Sequence, residues 1–430
     1  MARVGGTCNR LTSGAAASLM NESPRCIVLI DGFDNGHHLT YLRLYAKTLL
    51  ERGHTVIELL PNPDKVLPWF EKTCPNHLDR LFLTSYVHPS VQSPSWRLRS
   101  FFEPIMRWRY AAKAVRDALK RFDIPRVDLV HFMWLDDYIV GASRMAAFLL
   151  PWVFPFRWSG LFFHPWHLRI AGGETRCDSV AAESVLRARN CIGVAVLDHG
   201  VAATLEQNVQ RPVVAFPDAT DEGVALHTPT CLAQIRERAK GRKIVGLLGH
   251  LSRRKGISTF LKASRECKND DWLFLLLGAM GESEMEALTA EDRAFLEDAI
   301  AGRVANICVV PQRIEDESEF NVVVCECDAL FAAYEMFAHS SGLVTKAGVF
   351  RKPIIVSRGY YMQEVIEKYR LGVAIDQDDS RAALHALDAL GDPAEFERHV
   401  GTPDYEGFMR ANGLEAMGPA FDKLLECSAT

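Results

Sequence analysis

The sequence predicts an α/β protein built from two Rossmann-like domains that face each other across a cleft. Short apolar runs alternate with longer amphipathic segments, which is the pattern of βαβ units around a parallel sheet. A polar, turn-rich stretch interrupts this series at 217–242, and the series then begins again. The length of 430 residues also suits two such domains better than one.

Each apolar run is predicted to be a strand. The first strand, at 26–31, precedes a helix from about His38 to Arg52 with apolar residues at i, i+3 and i+4 spacing. The other strands of the first half are predicted at 54–60, 81–87, 127–134, 152–156, 191–197 and 212–216. Those of the second half are predicted at 243–249, 272–278, 305–310, 329–334, 352–357 and 372–376.

These elements define the predicted domain boundaries. Residues 1–24 have no core-forming pattern and are expected to be a disordered tail. The amphipathic stretch near the C-terminus is expected to be a helix that packs back across both domains. We therefore predict a first domain at 25–220, a linker and first helix of the second domain at 221–242, a second domain at 243–404 and a closing helix at 405–430.

Composition excludes several classes of protein. The chain has 49 Lys and Arg against 54 Asp and Glu, and a net charge of −5 argues against a nucleic-acid-coating protein. Its 11 cysteines include no CxxC pair, which indicates reduced thiols in a cytosolic protein. No apolar run reaches the roughly 18 residues of a membrane span, and the N-terminus lacks the apolar core of a signal peptide. We expect a cytoplasmic location.

Ligands of doubly wound sheets bind beyond the carboxyl ends of the strands. The loop after the first predicted strand reads DGFDNGHH, where Gly36 allows close approach of the backbone to a ligand. A plain turn that caps the following helix explains this loop equally well. His37 and His38 either face the cleft or lie on an exposed first helical turn.

The loop GHLSRRKG, at 249–256, gives the sharpest signal. Arg253, Arg254 and Lys255 lie next to a predicted helix N-terminus, where the helix dipole disfavours cations unless an anion is bound. A diphosphate would suit both the dipole and the cations, whereas a solvated basic loop is the alternative.

A second candidate anion site precedes a helix later in the chain. Ser340, Ser341 and Gly342 offer hydroxyls and free backbone N–H groups at that helix start. Taken alone, this pattern is more simply a helix N-cap. If it faces the 249–256 loop across one sheet, the two sites would hold one diphosphate.

These loops resemble the second half of GT-B glycosyltransferases of the retaining "group 1" family. The family motif runs glycine, arginine, a hydrophobic residue, serine, two variable residues, lysine, glycine. Gly249, Leu251, Ser252, Lys255 and Gly256 match it, and His250 replaces the arginine. The resemblance implies a GT-B-like fold, with sugar transfer from a nucleotide-diphosphate donor to an acceptor hydroxyl and retention of configuration. The acceptor class stays open between a glycan, a lipid-linked molecule and a small molecule.

The resemblance extends beyond this motif. FPDAT at 216–220 resembles the family's linker, and Glu364 lies at its acidic position. DLVHFMW at 128–134 resembles the family's N-terminal strand that ends in histidine, with His131 at that place. The family's two glutamates, which are separated by seven intervening residues, are absent: Ala338 and His339 lie near the first position and Lys346 near the second. Arg253 or Arg254 would replace the lost arginine. The predicted donor contacts are Gly36, Gly249, His250, Arg253, Lys255, Ser340, Ser341, Gly342 and Glu364.

The first domain is expected to hold the acceptor. His131 and Asp136 are the catalytic candidates, although a solvated acid at a helix start is the commoner role for Asp136 or Asp137. His37, His38, Trp134 and His164 are the candidate acceptor contacts, because aromatic and imidazole rings often contact sugars. For His164 and its neighbour His167, a packed core histidine is an equal alternative.

We expect neither a cofactor nor a metal, because cations and helix N-termini can neutralise a departing diphosphate. The string Asp376, Gln377, Asp378 matches the metal-binding pattern of GT-A-type transferases. It precedes a predicted helix, so helix capping explains it better.

The segment from Arg97 to Arg121 contains eight Lys or Arg, two acids and interleaved aromatic residues. It is a candidate for contact with an anionic membrane surface or an anionic acceptor. A helix that packs on the sheet is the favoured alternative, and nucleic acid is not an expected partner. Two other functions stay open: a catalytically degenerate GT-B binding or scaffold protein, and a nucleotide-sugar epimerase or phosphorylase.

Overall fold

The computed structural model describes residues 23–34, 36–88, 96–140, 142, 144–169, 177–268 and 270–427. Residues 1–22 of the predicted tail lie outside this set. The strands of the first domain are β1 (Cys26–Ile30), β2 (Thr55–Leu60), β3 (Leu81–Ser85), β4 (Leu129–Phe132), β5 (Trp158–Gly160), β6 (Val194–Val196) and β7 (Val213–Ala215). Those of the second domain are β8 (Lys243–Leu248), β9 (Trp272–Leu277), β10 (Ile307–Val310), β11 (Ala329–Ala332), β12 (Ile354–Ser357) and β13 (Gly372–Ile375).

Helices connect these strands in both domains. The first domain contains α1 (His37–Glu51), α2 (Leu67–Thr73), α3 (Trp96–Arg121), α4 (Asp136–Ile139), α5 (Arg144–Val153), α6 (Cys177–Leu186) and α7 (His199–Val209). The chain continues through α8 (Thr230–Ala239), α9 (Ile257–Glu266), α10 (Glu282–Glu286), α11 (Ala290–Ile300), α12 (Glu317–Glu326), α13 (Gly342–Val349), α14 (Tyr361–Tyr369), α15 (Ser380–Gly391) and α16 (Pro393–His399). It ends with α17 (Tyr405–Asn412) and α18 (Met417–Glu426).

Both sheets are parallel and have the same strand order. The first runs β3-β2-β1-β4-β5, and single bridges from Trp158 to Cys191 and from Leu161 to Ala195 join it to the β6–β7 pair. The second runs β10-β9-β8-β11-β12-β13. The order reverses between β1 and β4 and between β8 and β11, which are the points where such sheets bind ligands. The predicted fold class of two Rossmann-like domains is confirmed.

The predicted strand at 152–156 is wrong. Val153 ends helix α5, and the strand β5 begins at Trp158. Phe154 is buried, whereas Phe148 and Trp152 lie on the exposed side of α5. A short apolar run fits a buried strand and a helix end equally well, so periodicity could not separate them.

The predicted closing helix is two helices, interrupted after Asn412 by a 3₁₀ turn. Phe408 of α17 packs on the second domain, where a Cβ on Gly348 would lie 2.2 Å from its ring. Phe421 of α18 packs instead in the first domain, against the rings of Tyr45 and Phe216. The C-terminus therefore crosses back and covers the core of the first domain.

The basic segment forms α3, and its apolar side packs on the first sheet. Trp108, Ala112 and Val115 are buried in that core. Because the sheet occupies this apolar side, the helix interpretation of the segment fits the structure. Within the described ranges, no helix has both the length and the apolar character that are needed to cross a bilayer.

Phe421→Ala tests the packing of the C-terminal helix. Phe421 is fully buried, so its removal should lower the free energy of unfolding by about 3–5 kcal/mol in urea titrations. Phe148→Ala is the matched control: this residue is 69% exposed, and its loss should cost less than about 0.5 kcal/mol. Equal losses in the two variants would contradict the described packing of α18.

Candidate active site

The basic loop of the second domain is held tightly against the end of β11. Arg253–Lys255 form a single 3₁₀ turn, followed by Gly256 at φ +73°. A Cβ at Gly256 would lie 2.2 Å from the carbonyl oxygen of Ala333, so only glycine fits there. This contact brings the loop after β8 next to the loop after β11.

Tyr334 joins the two predicted anion sites. The Lys255 ammonium lies 5.6 Å from the centre of the Tyr334 ring, and the Arg254 guanidinium lies at the same distance. Ser341 Oγ donates a hydrogen bond of 3.2 Å to the Tyr334 hydroxyl. The structure therefore brings the cations after β8 and the start of α13 together.

The start of α13 faces the first domain. Ser341 caps this helix, because its Oγ accepts a hydrogen bond from the backbone N–H of Leu343. A Cβ at Gly342 would lie 3.4 Å from Cε1 of His37, which is the first residue of α1. The imidazole of His37 thus lies against the second domain at the predicted anion site.

Arg254, rather than Arg253, points toward this region. The guanidinium of Arg254 lies 4.2 Å from the centre of the Phe337 ring. The side chain of Arg253 is 66% exposed and turns toward Glu335, with 3.8 Å between Nε and Oε2. Arg254 therefore lies against Tyr334 and Phe337 whereas Arg253 points toward Glu335, and the donor contact predicted at Arg253 stays a prediction. His250 is exposed on the same loop, and Gly249, at φ +98°, lies under the Lys255 ammonium.

The glycine loop of the first domain also approaches the second domain. Gly36 has φ +54° and ψ −132°, which glycine adopts without strain, and Arg313 Nη2 lies 3.6 Å from the position of its Cβ. His37 is accessible from the cleft. Protein nevertheless surrounds it from both domains, and this desolvation lowers the pKa of His37, an effect that Asp218 opposes.

His38 points to a different side of the same helical turn. Its Nδ1 lies 3.0 Å from Oδ2 and 3.1 Å from Oδ1 of Asp31, a buried carboxylate at the end of β1. Its ring lies between Phe33 and Trp134, with ring centres 4.7 and 4.8 Å away. Trp134 in turn stacks on Phe163 at 4.2 Å. An imidazole and an aromatic wall therefore lie side by side.

His131 is a core residue, which corrects its predicted catalytic role. It is completely buried, and its Nδ1 shares a hydrogen bond of 2.8 Å with Ser159 Oγ. The rings of Tyr45, Phe216 and Phe421 surround it. Burial lowers its pKa to about 3, so the imidazole is neutral and out of reach of any substrate.

The carboxylate of Asp136, a predicted catalytic residue, holds a backbone loop. Its Oδ2 accepts a hydrogen bond from the Phe163 N–H and its Oδ1 from the His164 N–H, at 2.8 and 3.0 Å. The carboxylate therefore anchors the loop that carries His164. The His164 ring stacks on Trp166 and meets the edge of His339 from the second domain. His167, by contrast, is buried against Glu183 at 2.7 Å.

The residues that stand near the positions of the family's two glutamates make contacts of their own within the protein. His339 is buried against Trp166 and Phe337, and desolvation lowers its pKa to about 2. The buried ammonium of Lys346 donates to Thr220 and Asn321 at 2.8 and 2.6 Å and lies 2.5 Å from Glu317 Oε1. This lysine therefore ties α13 to the linker and to α12.

Two predicted donor contacts join the domains to each other. Ser340 Oγ and the Tyr41 hydroxyl both donate to the buried carboxylate of Asp218 in the linker. The Glu364 carboxylate receives two hydrogen bonds from Arg169, which also holds the buried Asp198. Ser340 and Glu364 thus take part in contacts between the domains, while the Glu364 side chain is 52% exposed, and their predicted roles as donor ligands stay predictions.

The two aspartates of the sequence Asp376–Gln377–Asp378, which matches the GT-A metal-binding pattern, each form an ion pair with a cation. Asp376 lies 3.0 Å from Arg358 and Asp378 lies 2.7 Å from Lys262, while Asp379 caps α15. Over the parts of the chain that the structure describes, no three metal-ligating side chains come together.

Sequence reasoning missed Asp31, Asp218, Arg169 and Tyr334. The sequence does contain a local signal for Asp31 and Tyr334. Asp31 directly follows β1 and Tyr334 lies two residues after β11, at the edge of each sheet where ligands bind. Asp218 and Arg169 carried no such signal, because their partners lie far away in the sequence.

The chain shares its fold with proteins of known structure. No family model and no curated protein sequence matches the chain. Among solved structures, HepE from Anabaena in complex with UDP and glucose has a TM-score of 0.63 at 13% identity, covering 94% of this chain and 99% of that one. Sucrose-phosphate synthase from Thermosynechococcus elongatus has a TM-score of 0.62 at 16% identity, covering 94% and 98%. S. aureus MnaA with UDP has a TM-score of 0.57 at 15% identity, covering 93% and 95%. The chain has the GT-B fold.

The buried histidine predicts a pH dependence of stability. The unfolded chain binds a proton at His131 near its usual pKa of about 6.5, whereas the folded chain does not until about pH 3. Stability should therefore fall on acidification by up to about 1.4 kcal/mol per pH unit from this residue alone. In urea titrations between about pH 4 and 6, the free energy of unfolding of His131→Gln should change with pH less steeply than that of the parent protein, by that amount per pH unit. An unchanged slope would contradict the neutral, buried state of His131.

Arg169→Ala tests the contact between the domains. The substitution leaves the Asp198 carboxylate, which is 2% exposed, without its cation, and we expect a loss of stability of about 3 kcal/mol. Small-angle scattering should show a larger radius of gyration, because the link to Glu364 is also lost. Arg358→Ala removes the exposed ion pair with Asp376 within the second domain. This variant should lower the free energy of unfolding by less than about 1 kcal/mol and leave the radius of gyration unchanged. Identical scattering for Arg169→Ala and the parent would contradict a role in holding the domains together.

Proposed function

We propose that this chain is a glycosyltransferase that moves a sugar from a nucleotide-diphosphate donor to an acceptor hydroxyl without a metal. The observation that carries this proposal is the convergence of Arg254, Lys255 and Ser341 on Tyr334. It lies at the switch point between β8 and β11, where GT-B-like sheets offer a ligand crevice.

Electrostatics support a diphosphate at this point. Among the described residues, neither Arg254 nor Lys255 forms an ion pair with a carboxylate, and the Lys255 ammonium donates to the carbonyl oxygen of Leu248 at 3.1 Å. The uncompensated cations and the N-terminus of α13 would stabilise charge on a departing diphosphate. Arg313 approaches the same region beside Gly36. These groups supply what a metal would otherwise supply.

The structural neighbours support the same class of donor. HepE has been solved with UDP-glucose as well as with UDP and glucose. By analogy, the nucleoside diphosphate of the present chain would lie on the second domain. A ligand screen identifies the donor base and the sugar.

The aromatic wall of the first domain supports a sugar or similarly ringed acceptor. Trp134 and Phe163 stack in parallel, and His164 meets Trp134 edge-on at 5.4 Å. Rings of this kind offer a flat apolar face with polar edges. The acceptor hydroxyl would thereby be presented toward the start of α13.

A second candidate function is a non-catalytic binding protein. It is favoured by the buried His339 and Lys346, which stand near the positions where the resembling family has glutamates. Such a protein would bind the nucleotide sugar and release no nucleoside diphosphate. A coupled assay for nucleoside diphosphate release separates the two functions.

Lys255→Ala tests the diphosphate site. In a thermal-shift screen in EDTA with UDP, GDP, ADP, TDP and their sugar conjugates, we expect one base to stabilise the parent protein. At a ligand concentration 100 times Kd the gain is about 2.7 kcal/mol, which shifts Tm by several degrees. Lys255→Ala should lose most of this shift, while Lys113→Ala, on an exposed part of α3, should keep it. The absence of a shift with every nucleotide would contradict the proposed function.

A further inference from the structure

We propose that the acceptor is a glycan several sugar units long, whose growing end lies on the Trp134 wall while an inner unit occupies a groove between β3 and α3. This inference rests on the proposed function and names the class of acceptor that the site takes. It starts from two observations: an unassigned groove at the edge of the first sheet, and a row of ring contacts that joins this groove to the wall.

The groove lies at the outer edge of the first domain. Its volume is about 220 Å³, far more than the roughly 30 Å³ that one water molecule takes up, so a ring-sized ligand fits. Strand β3 is the edge strand of the first sheet and forms one side of the groove, and α3 forms the other. Ala114 and Ala118 of α3 line it, and their small side chains leave the space open.

The chemistry of the lining suits a sugar. Hydroxyl groups come from Thr84 and Ser85 at the end of β3, and a carboxylate and a guanidinium come from Asp117 and Arg121 of α3. Arg121 Nη1 donates a hydrogen bond of 3.0 Å to Thr84 Oγ1, which holds the guanidinium at the groove. Hydrogen-bond donors and acceptors of this kind can match the hydroxyls of a sugar ring. An acyl chain would instead cover these polar groups without giving them partners, which costs free energy.

Tyr110 gives the groove an aromatic platform. It is 41% exposed, and its hydroxyl forms no hydrogen bond with any residue that the structure describes. Its ring centre lies 5.7 Å from that of Tyr86, which is buried below the groove and shares a hydrogen bond of 2.7 Å with the Tyr138 hydroxyl. Tyr110 therefore offers a supported ring face with a polar edge, on which a sugar ring can pack.

A row of aromatic and imidazole rings connects this platform with the acceptor wall. Its successive ring centres are 4.8 Å apart from Trp134 to His38, 4.7 Å to Phe33, 5.5 Å to His88, 5.8 Å to Tyr86 and 5.7 Å to Tyr110. Each step is comparable with the size of one sugar ring. Phe33, His38 and His88 are partly exposed, so a chain of sugars could lie over the row between the wall and the groove.

The loop after β1 is built to admit this row. A Cβ on Gly32 would lie 1.8 Å from the ring of His88, so a side chain at position 32 would displace the imidazole. The glycine lets His88, which follows β3, pack against the loop that carries Phe33. The loops after β1 and β3 thereby form one continuous surface.

A single sugar would use only part of this surface. The wall of Trp134 and Phe163 is large enough for one ring, and Tyr110 is separated from it by four intervening rings. An acceptor that ends at the wall therefore leaves Tyr110 and the hydroxyls of the groove without contact. The length of the acceptor is consequently the variable to test.

The experiment compares acceptors of increasing length. The full chain is given the nucleotide sugar identified by the ligand screen, together with malto-, cello-, chito- or β-1,3-gluco-oligosaccharides of one to six units, and the release of nucleoside diphosphate is measured. For the series that serves as acceptor, we expect kcat/KM to rise by about tenfold once the chain reaches the groove, and then to level off. Equal kcat/KM at every length would overturn the proposal.

Tyr110→Ala tests the platform itself. It should lower kcat/KM for the long acceptors by a factor of about 3–10, the effect of losing one aromatic contact, and change neither the single-sugar acceptor nor the Kd of the nucleoside diphosphate. Tyr110→Phe keeps the ring and should keep most of the gain with length. Ser85→Trp, from an exposed position of β3, should fill the groove and remove the gain. Phe148→Ala removes a ring that is 69% exposed on α5, outside the groove, and should behave as the parent.

The outcomes separate this proposal from the function on which it rests. An unchanged dependence on length in both Tyr110→Ala and Ser85→Trp would overturn the role of the groove. Binding of a nucleoside diphosphate, with no effect of any oligosaccharide on its release, would overturn a glycan acceptor yet leave the donor site in place. Failure to bind any nucleotide would remove the proposed function itself.

Discussion

The carboxylate of Asp218 is the contact on which the geometry of the cleft depends. It lies buried in the linker and accepts hydrogen bonds from Tyr41 of the first domain and Ser340 of the second. Tyr41 is one helical turn from His37, and Ser340 immediately precedes the cap of α13. One charged acceptor therefore sets the spacing between the two halves of the site, and hydrogen bonds to a carboxylate are among the strong ones.

Other contacts reinforce the same arrangement, and one of them uses Glu364, a predicted donor contact. Arg169 joins Glu364 to the first domain, and Lys346 joins α13 to the linker at Thr220. Phe421 of helix α18 also packs on the core of the first domain. None of these contacts between the domains involves Arg254 or Lys255 after β8, which are the cations of the proposed diphosphate site.

The sequence predicted most elements that depend on local patterns. Apolar runs located the strands, and the loop that ends at Gly256 was recognised because its glycines and cations are contiguous. The environment of His131 could not be predicted, since Phe216 and Phe421, which enclose it, come from distant parts of the chain. The position of Arg254, rather than Arg253, against Tyr334 depends on the direction of one 3₁₀ turn, which neighbouring cations of the same type do not reveal.

The most direct test is a crystal structure of the chain with UDP, or with whichever nucleoside diphosphate binds most tightly. We expect the diphosphate oxygens to lie within hydrogen-bonding distance of the Lys255 ammonium and of the backbone N–H groups that begin α13, with His37 on the opposite side. A nucleotide bound elsewhere would contradict the proposed site. So would a diphosphate that points to solvent while Lys255 keeps its hydrogen bond to Leu248.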